Sequence, residues 1–284
     1  MQPGYGPAAR GPDFRATVTA KPPRGVPSPV QVVGYDVGVG GDREAALLVA
    51  SDGALEREPL PPGRRLAYTL GERRCAGAVD GGDHHACEDP TAPYCEVHDS
   101  TCVCAKCTGT CLKAEMDCHT EHAVYLAAFA PATFKVGVTR RPRLETRLRE
   151  QGADRGALLR TVTNGRIARE IEAELAAETP LPDAVRAATK IAGMGRSVDA
   201  NAWEQLLAGF GVAERFDLEY GLDLRRAPVA ETLAAGTIRG TKGRVLVLER
   251  AGGTFAVDMR RLVGYELLEG SSSRELQSSL GAFG

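Results

Sequence analysis

The stretch "CVCAKCTGTCLKAEMDCHTEHAVYLAAF", residues 102–129, constrains this chain more than any other. Cysteines and histidines crowd into its first part, and an apolar run follows them without a linker. All 8 cysteines fall between Cys75 and Cys118, and all 5 histidines between His84 and His122. A segment with so many thiols and so few large apolar residues needs bound ligands or cross-links to hold its shape.

Structural zinc sites present thiolate and imidazole ligands in short-spaced pairs. Here the pairs are Cys95-x2-His98, Cys104-x2-Cys107 and Cys118-x3-His122, with Cys75, Cys87, Cys102 and Cys111 close by. That inventory is enough for two tetrahedral Zn²⁺ sites with a structural role. One division gives Cys75, Cys87, Cys95 and His98 to the first. The second draws on Cys104, Cys107, Cys111, Cys118 and His122, one more than it needs, and Cys102 is a spare thiol. A disulfide framework would suit the even count, and an iron–sulfur cluster could take Cys104, Cys107 and Cys111. The start of the chain, "MQPGYGPAARGPDFR", lacks the apolar core of a secretory signal. The longest uncharged apolar stretch, residues 123–130, is too short to span a membrane. A cytoplasmic chain with reduced thiols is therefore expected, which favours zinc over disulfides. His84 and His85 read as exposed loop residues, and His119 as either ligand or bystander.

The net charge of −2 hides a segregation. Residues 75–122 hold nine acidic side chains against two lysines, whereas residues 135–169 hold ten basic ones against three acidic. A basic run of that kind suits a phosphate backbone. Its plain alternative is a solvated helix face with ion pairs to Glu145 and Glu150.

Periodicity divides the rest. Residues 1–28, rich in Pro, Gly and Arg, read as a disordered leader. Residues 29–74 contain strand-like runs such as "VQVVGYDVG" and "AALLVASDGALEREPL". The cysteine block of residues 75–122 has neither a helical nor a strand period. After it, "HAVYLAAFA" and "TFKVGVT" read as two strands joined by a turn at Pro131. "RLETRLREQGA" reads as a helix with Leu144 and Leu148 on one face, stopping at Gly152. "ALLRTVT" is a third strand, and "GRIAREIEAELAAE" a helix with Ile167, Ile171 and Leu175 on its stripe. Helices over 182–193 and 202–209 follow, the second burying Trp203, and complete a core over residues 123–215. Residues 236–268 form a small β module, and residues 269–284 a flexible tail. The fold class is α+β: a β-β-α-β-α core preceded by a zinc-binding block and flanked by β segments.

The sequence "VYLAAFAPATFKVGVTRRPRLETRLREQGA" followed by "GRIAREIEAELA" resembles the GIY-YIG endonuclease core. That core has two short strands bearing the signature tripeptides, then an arginine helix and a glutamate helix. Joined to the cysteine block, "GTC" and "C-x3-H", it is similar to an uncharacterised family of unknown function that couples zinc-ligand-like cysteines to a divergent GIY-YIG-like core. The resemblance covers about residues 75–210. It implies that Tyr125 orients the attacking water and that Gly137 lets the chains approach closely. Arg147 would neutralise the scissile phosphate, and Glu172, with Glu170 as fallback, would hold one divalent metal, Mg²⁺ or Mn²⁺. Lys135, Arg140, Arg141 and Arg143 would contact the backbone of DNA or RNA. The second signature tyrosine is absent: Lys135-Val136-Gly137 stands there, and Gln151 stands where a histidine follows the arginine. The resemblance thus implies a divalent-metal-dependent endonuclease acting on structured nucleic acid, or a catalytically silent nucleic-acid-binding protein on the same scaffold. A thiol or zinc redox sensor is the reading from a different class.

Overall fold

A continuous apolar run suits a strand covered on both faces, because alternate side chains then enter two separate cores. The run after the cysteine block does this in the computed structural model, which describes residues 30–38, 43–99 and 119–270. The strand β7 (His122–Phe129) is flanked by β8 (Thr133–Arg140) and β9 (Arg155–Val162). A fourth strand, β10 (Glu214–Asp217), pairs with β9, so the order is β10-β9-β7-β8, antiparallel throughout. On one face, Ala123, Tyr125, Ala127 and Phe129 meet Leu144 and Leu148 of helix α1 (Leu144–Gln151). On the other, Val124, Leu126 and Ala128 pack with Ala168 of α2 (Gly165–Glu178) and with Trp203 and Leu207 of α4 (Ala200–Leu207). Burying each such Leu or Phe contributes about 1.5–3 kcal/mol, so both faces hold β7 firmly.

Local signals set the helix ends. Gly152 closes α1 in the left-handed conformation (φ 69°), and a Cβ there would also lie 3.0 Å from the Lys242 carbonyl oxygen. Asn164 caps α2, its side chain accepting from the Ile167 amide at 2.9 Å. The buried stripe of α2 is rotated from the expected one. Ile167 is left 38% exposed, while Ala168 and Glu172 are buried beside the half-buried Ile171 and Leu175. Between α2 and α4 lies α3 (Ala187–Gly193). Trp203 is buried against Phe134, ring centroids 5.6 Å apart, as the sequence suggests.

The segments on either side of this unit belong to one sheet. Among the described residues eleven strands join it: β1 (Val30–Asp36), β2 (Ala46–Ser51), β3 (Ala54–Pro59), β4 (Arg65–Arg73), β5 (Ala78–Asp80), β6 (Asp83–His85), β11 (Val229–Ala230), β12 (Ala234–Lys242), β13 (Val245–Arg250), β14 (Gly253–Asp258) and β15 (Tyr265–Glu269). The order is β11-β14-β13-β12-β4-β15-β1-β2-β3-β6-β5. The final strand β15 lies between β1 and β4, with Val30 opposite Leu267 and Leu268 opposite Thr69. Residues 29–74 and 236–268, legible as separate β segments, therefore share one core that includes Val32, Leu47, Leu66, Leu246 and Leu262. Within the cysteine block, β5 and β6 form a short hairpin that the absence of periodicity concealed. The short helix α5 (Met259–Leu262) connects β14 to β15. The two sheets meet where Lys242 reaches Asp154 at 2.5 Å.

Candidate functional site

Two constellations carry chemistry. The first joins Cys75, just past β4, to Cys87, Cys95 and His98 in the loop after β6. Their ligand atoms all lie within 4.8 Å of one another. The Cys75 Sγ and Cys95 Sγ stand 3.4 and 3.2 Å from His98 Nδ1. Ligands of a tetrahedral Zn²⁺ are separated by roughly 3.5–3.8 Å, given bond lengths of about 2.0–2.3 Å, so the donors are almost placed for an ion. The four residues form a Cys3His cluster that could hold a metal ion such as zinc. This is the first ligand set expected from the sequence.

Backbone bonds build the cluster. The Cys75 amide donates to the Asp89 carbonyl at 2.8 Å, and the Ala76 amide to that of Pro93 at 2.9 Å. The amides of Gly77 and Cys95 donate to the Cys75 sulfur at 3.4 and 3.3 Å. Burial opposes ionisation of Cys95, but hydrogen bonds from the His98 amide and ring and from the Val97 amide outweigh it and bring the thiol down to about 7. For Cys87 the Asp89 amide favours the thiolate, yet desolvation and the neighbouring Cys75 and Cys95 leave it raised. A dication would reverse that repulsion and deprotonate the thiols. His84, expected to be exposed, is buried, with Nε2 2.8 Å from the Ala76 carbonyl; it supports the loop and is not a ligand. His85 and His119 are exposed. Of the second ligand set, Cys104, Cys107, Cys111 and Cys118 lie outside the described residues, as does Cys102. His122 opens β7 with Nδ1 2.7 Å from the Thr120 carbonyl.

The second constellation surrounds Tyr125. Its ring lies across Gly137, directly opposite on β8, where an added Cβ would come within 2.7 Å of the ring and its hydroxyl. Glycine is the residue that lets the tyrosine lie there, as expected. The hydroxyl accepts from Gln151 Nε2 at 2.8 Å. Burial pushes the Tyr125 phenol up, Arg147 and the Gln151 bond pull against it, and Glu172 adds to the rise. The phenol is therefore neutral near pH 7. Lys135, two residues before Gly137 and so on the same face of β8, is buried and donates to the Asp183 carbonyl at 2.5 Å. Desolvation lowers the Lys135 ammonium to about 8, although Glu172 and Asp183 oppose the fall. Tyr125, Lys135, Arg147 and Glu172, from four elements, thus lie within electrostatic reach of one another.

Each expected charged residue has a definite place. Arg147 donates to Glu150 at 3.1 Å, and Glu150 also takes Arg143 at 2.6 Å. Arg141 pairs with Glu214 at 2.6 Å, and Arg140 is exposed at the end of β8. Glu172 is buried and paired with Arg169 at 2.7 Å, whereas Glu170 is exposed and paired with Arg166. Sequence reasoning missed Lys190, on α3. Its ammonium donates to the Gln151 carbonyl at 2.7 Å and sits 4.4 Å from the centre of the Phe129 ring. A lone lysine in "AATKIAG" gives no hint of this. With Lys135, Arg147, Gln151 and Arg244 it lines a cleft of about 570 Å³ between the two sheets.

A family model described as a protein of unknown function (DUF2797) matches residues 63–216. The chain belongs to that family. The DUF2797 region covers just over half of it, from β4 to β10, and so takes in both the Cys3His cluster and the Tyr125 site. Strands β1–β3 and β11–β15 lie outside the match. No curated protein and no solved structure matches the chain. Among the described residues, no helix is long and apolar enough to cross a membrane.

Proposed function

We propose that this chain is a zinc-containing protein that grips the phosphate backbone of DNA or RNA at the Tyr125 site, on a divergent GIY-YIG-like scaffold. The observation that carries this reading is convergence: Arg147 and Gln151 of α1 act on the Tyr125 hydroxyl of β7, whose ring Gly137 admits, and Arg147 also acts on Lys135 of β8. Phosphate recognition needs fixed cations and neutral donors in a partly dry cleft, which these side chains supply. The β-β-α-β-α order and the positions of tyrosine, arginine and glutamate agree with that scaffold. Zinc at the Cys3His cluster would act as a structural cross-link.

A second reading, phosphodiester cleavage, draws on the presence of Glu172 beside Tyr125 and Arg147. Its divalent ion fits this donor set poorly. Arg169 holds the Glu172 carboxylate at 2.7 Å and Lys135 faces it, so two cations stand where Mg²⁺ or Mn²⁺ would bind. Binding without cutting is therefore favoured.

The test uses zinc-loaded protein against branched, nicked and supercoiled DNAs and structured RNAs, with Mg²⁺ or Mn²⁺ present. Arg147→Ala and Glu172→Ala are compared with wild type. Binding should fall about tenfold in Arg147→Ala, the worth of one charge-assisted phosphate bond, with no cutting by any form. Cutting that disappears in both variants would replace this reading with the endonuclease. Failure to bind any member of the panel would remove both.

A further inference from the structure

The cleft between the sheets contains more positive charge than its own carboxylates answer. Glu150 is taken up by Arg143 and Arg147, and Asp36 by Arg57 at 2.7 Å; Asp183, the third carboxylate of the lining, attracts Lys135 without an ion-pair contact. Arg244 and Lys242 pair with Asp258 and Asp154 at 3.0 and 2.5 Å. Lys135 and Lys190 differ. Each donates to one backbone carbonyl, and among the described residues neither ammonium has a carboxylate in ion-pair contact. A buried ammonium with three donors and one carbonyl partner is incompletely compensated. Both lysines line the same cleft as Arg147 and Arg244, and Arg244, Lys135 and Arg147 each repel the Lys190 ammonium while Arg147 repels that of Lys135.

Gln151 supplies a second observation. Its Nε2 is used by Tyr125, but its buried Oε1 has no hydrogen-bond partner among the described residues. Turning the amide end for end would leave Nε2 alone instead, so one polar atom at the cleft wall needs a partner in either orientation. The opposite wall, from the large sheet, adds an aromatic ring and apolar surface in Tyr35, Val37, Leu48 and Val245, beside Asp36, Lys242 and Arg244.

We infer that this cleft is a pocket for a nucleoside monophosphate unit, its phosphate held among Lys135, Arg147, Lys190 and Arg244, its base against Tyr35 and Leu48, and its sugar within reach of Gln151. The volume of about 570 Å³ lies in the range of small-molecule sites, so one nucleotide enters and a duplex does not. Lys135 and Lys190, without a carboxylate in ion-pair contact and lining the cleft beside the paired Arg147 and Arg244, call for more than one negative charge. A terminal phosphate monoester carries about −1.5 to −2 at pH 7, a bridging diester about −1, so the monoester is the better match. The unit could be a free nucleotide or the phosphorylated end of a strand, and the chemistry is the same. This rests on the reading of the Tyr125 site as one that handles phosphate, and adds a second wall and an end-group preference.

Desolvation and then Arg244, Lys135 and Arg147 bring the Lys190 ammonium down to about 7, with Asp258 opposing. Arg147 and Arg169 act on Lys135 in the same direction, against Glu172 and Asp183. An arriving dianion reverses the repulsion and raises both lysines, so binding near pH 8 takes up protons and weakens as pH rises to 9.

The test is isothermal titration of the full-length, zinc-loaded chain in two buffers of different ionisation enthalpy. The probes are a nucleoside 5′-monophosphate, the matching nucleoside, and single-stranded oligonucleotides with and without a 5′-phosphate. The nucleotide should bind about tenfold or more tighter than the nucleoside, with proton uptake at pH 8. Lys190→Met should weaken it about tenfold and reduce the uptake, while Lys190→Arg, which keeps the charge, should retain most of the affinity. Equal binding of nucleotide and nucleoside, or an unchanged Lys190→Met, overturns the pocket. Oligonucleotides that bind equally with and without 5′-phosphate, indifferent to Lys190→Met, overturn the pocket and leave the nucleic-acid reading standing. Nucleotide binding without oligonucleotide binding does the reverse.

Discussion

Gly137 leaves the Tyr125 ring no room to share: a methyl group in its place would lie 2.7 Å from the ring and its hydroxyl. Neither neighbour can retreat, because Tyr125 is 1% exposed on the central strand and Gly137 is paired directly with it. Gly137→Ala should therefore cost about 1–3 kcal/mol by overpacking, read as a lower urea midpoint, and should abolish nucleic-acid binding by displacing the hydroxyl. A variant of unchanged midpoint would show that the ring does not lie across the glycine. Tyr125→Phe makes the complementary change. It keeps the ring and removes the Gln151 Nε2 acceptor, at a cost of about 1 kcal/mol and without the packing loss. At this scale the resemblance to the GIY-YIG core is what singled out Tyr125, Gly137, Arg147 and Glu172 in the sequence. The sequence hid Lys190 and the role of Gln151, since both act through a backbone carbonyl or hydroxyl brought from a distant element.

At the scale of elements, the Cys3His cluster fastens the large sheet. Gln31 of β1, buried, donates through Nε2 to the carbonyls of Cys75 and Gly264 at 3.2 and 3.0 Å. Arg74 is paired with Glu266 of β15, and its amide donates to the Gly264 carbonyl at 3.1 Å. A metal ion there would lock the end of β4 and the 86–98 loop onto β1 and β15, rather than holding the first strand of the small sheet. Cys95→Ser should lower bound zinc by one equivalent. It should also raise amide hydrogen exchange across 74–98 and 264–267 while leaving 123–162 protected. Loss of protection in β7 with β4 unchanged would put the clamp on the other sheet. Any clamp on β7 from the second ligand set involves residues outside those described. Helices α1 and α2 were legible because their Leu, Ile and Ala spacing follows 3.6 residues per turn. Strands β5 and β6 were not, each being three residues long with no apolar pattern.

Across the whole molecule, the charged cleft is a stability cost that pH can relieve. Lys135 and Lys190, at about 8 and 7 in the folded chain, have an ordinary value near 10.5 when unfolded. From about pH 7 to pH 10 the unfolded chain binds protons that the folded chain does not. Stability should accordingly rise with pH across that window, by up to about 1.4 kcal/mol per unit for each lysine. Urea midpoints from pH 7 to 9.5 at constant zinc should climb, and Lys135→Met with Lys190→Met should flatten the climb. A flat wild-type profile would mean that both ammonium groups are solvated. Sequence alone determined the β-β-α-β-α order and the stop at Gly152, and grouped Cys75, Cys87, Cys95 and His98 as one candidate ligand set, because each depends on local period, turn chemistry or ligand spacing. Only the tertiary structure decided that the two flanking β segments are one sheet and that residues of β1, β2 and the β12–β13 turn help line a cationic cleft beside Arg147 and Gln151. Antiparallel pairing between residues some two hundred positions apart, such as Thr69 with Leu268 or Val30 with Leu267, leaves no periodic trace in either segment; it follows from which apolar faces can cover one another.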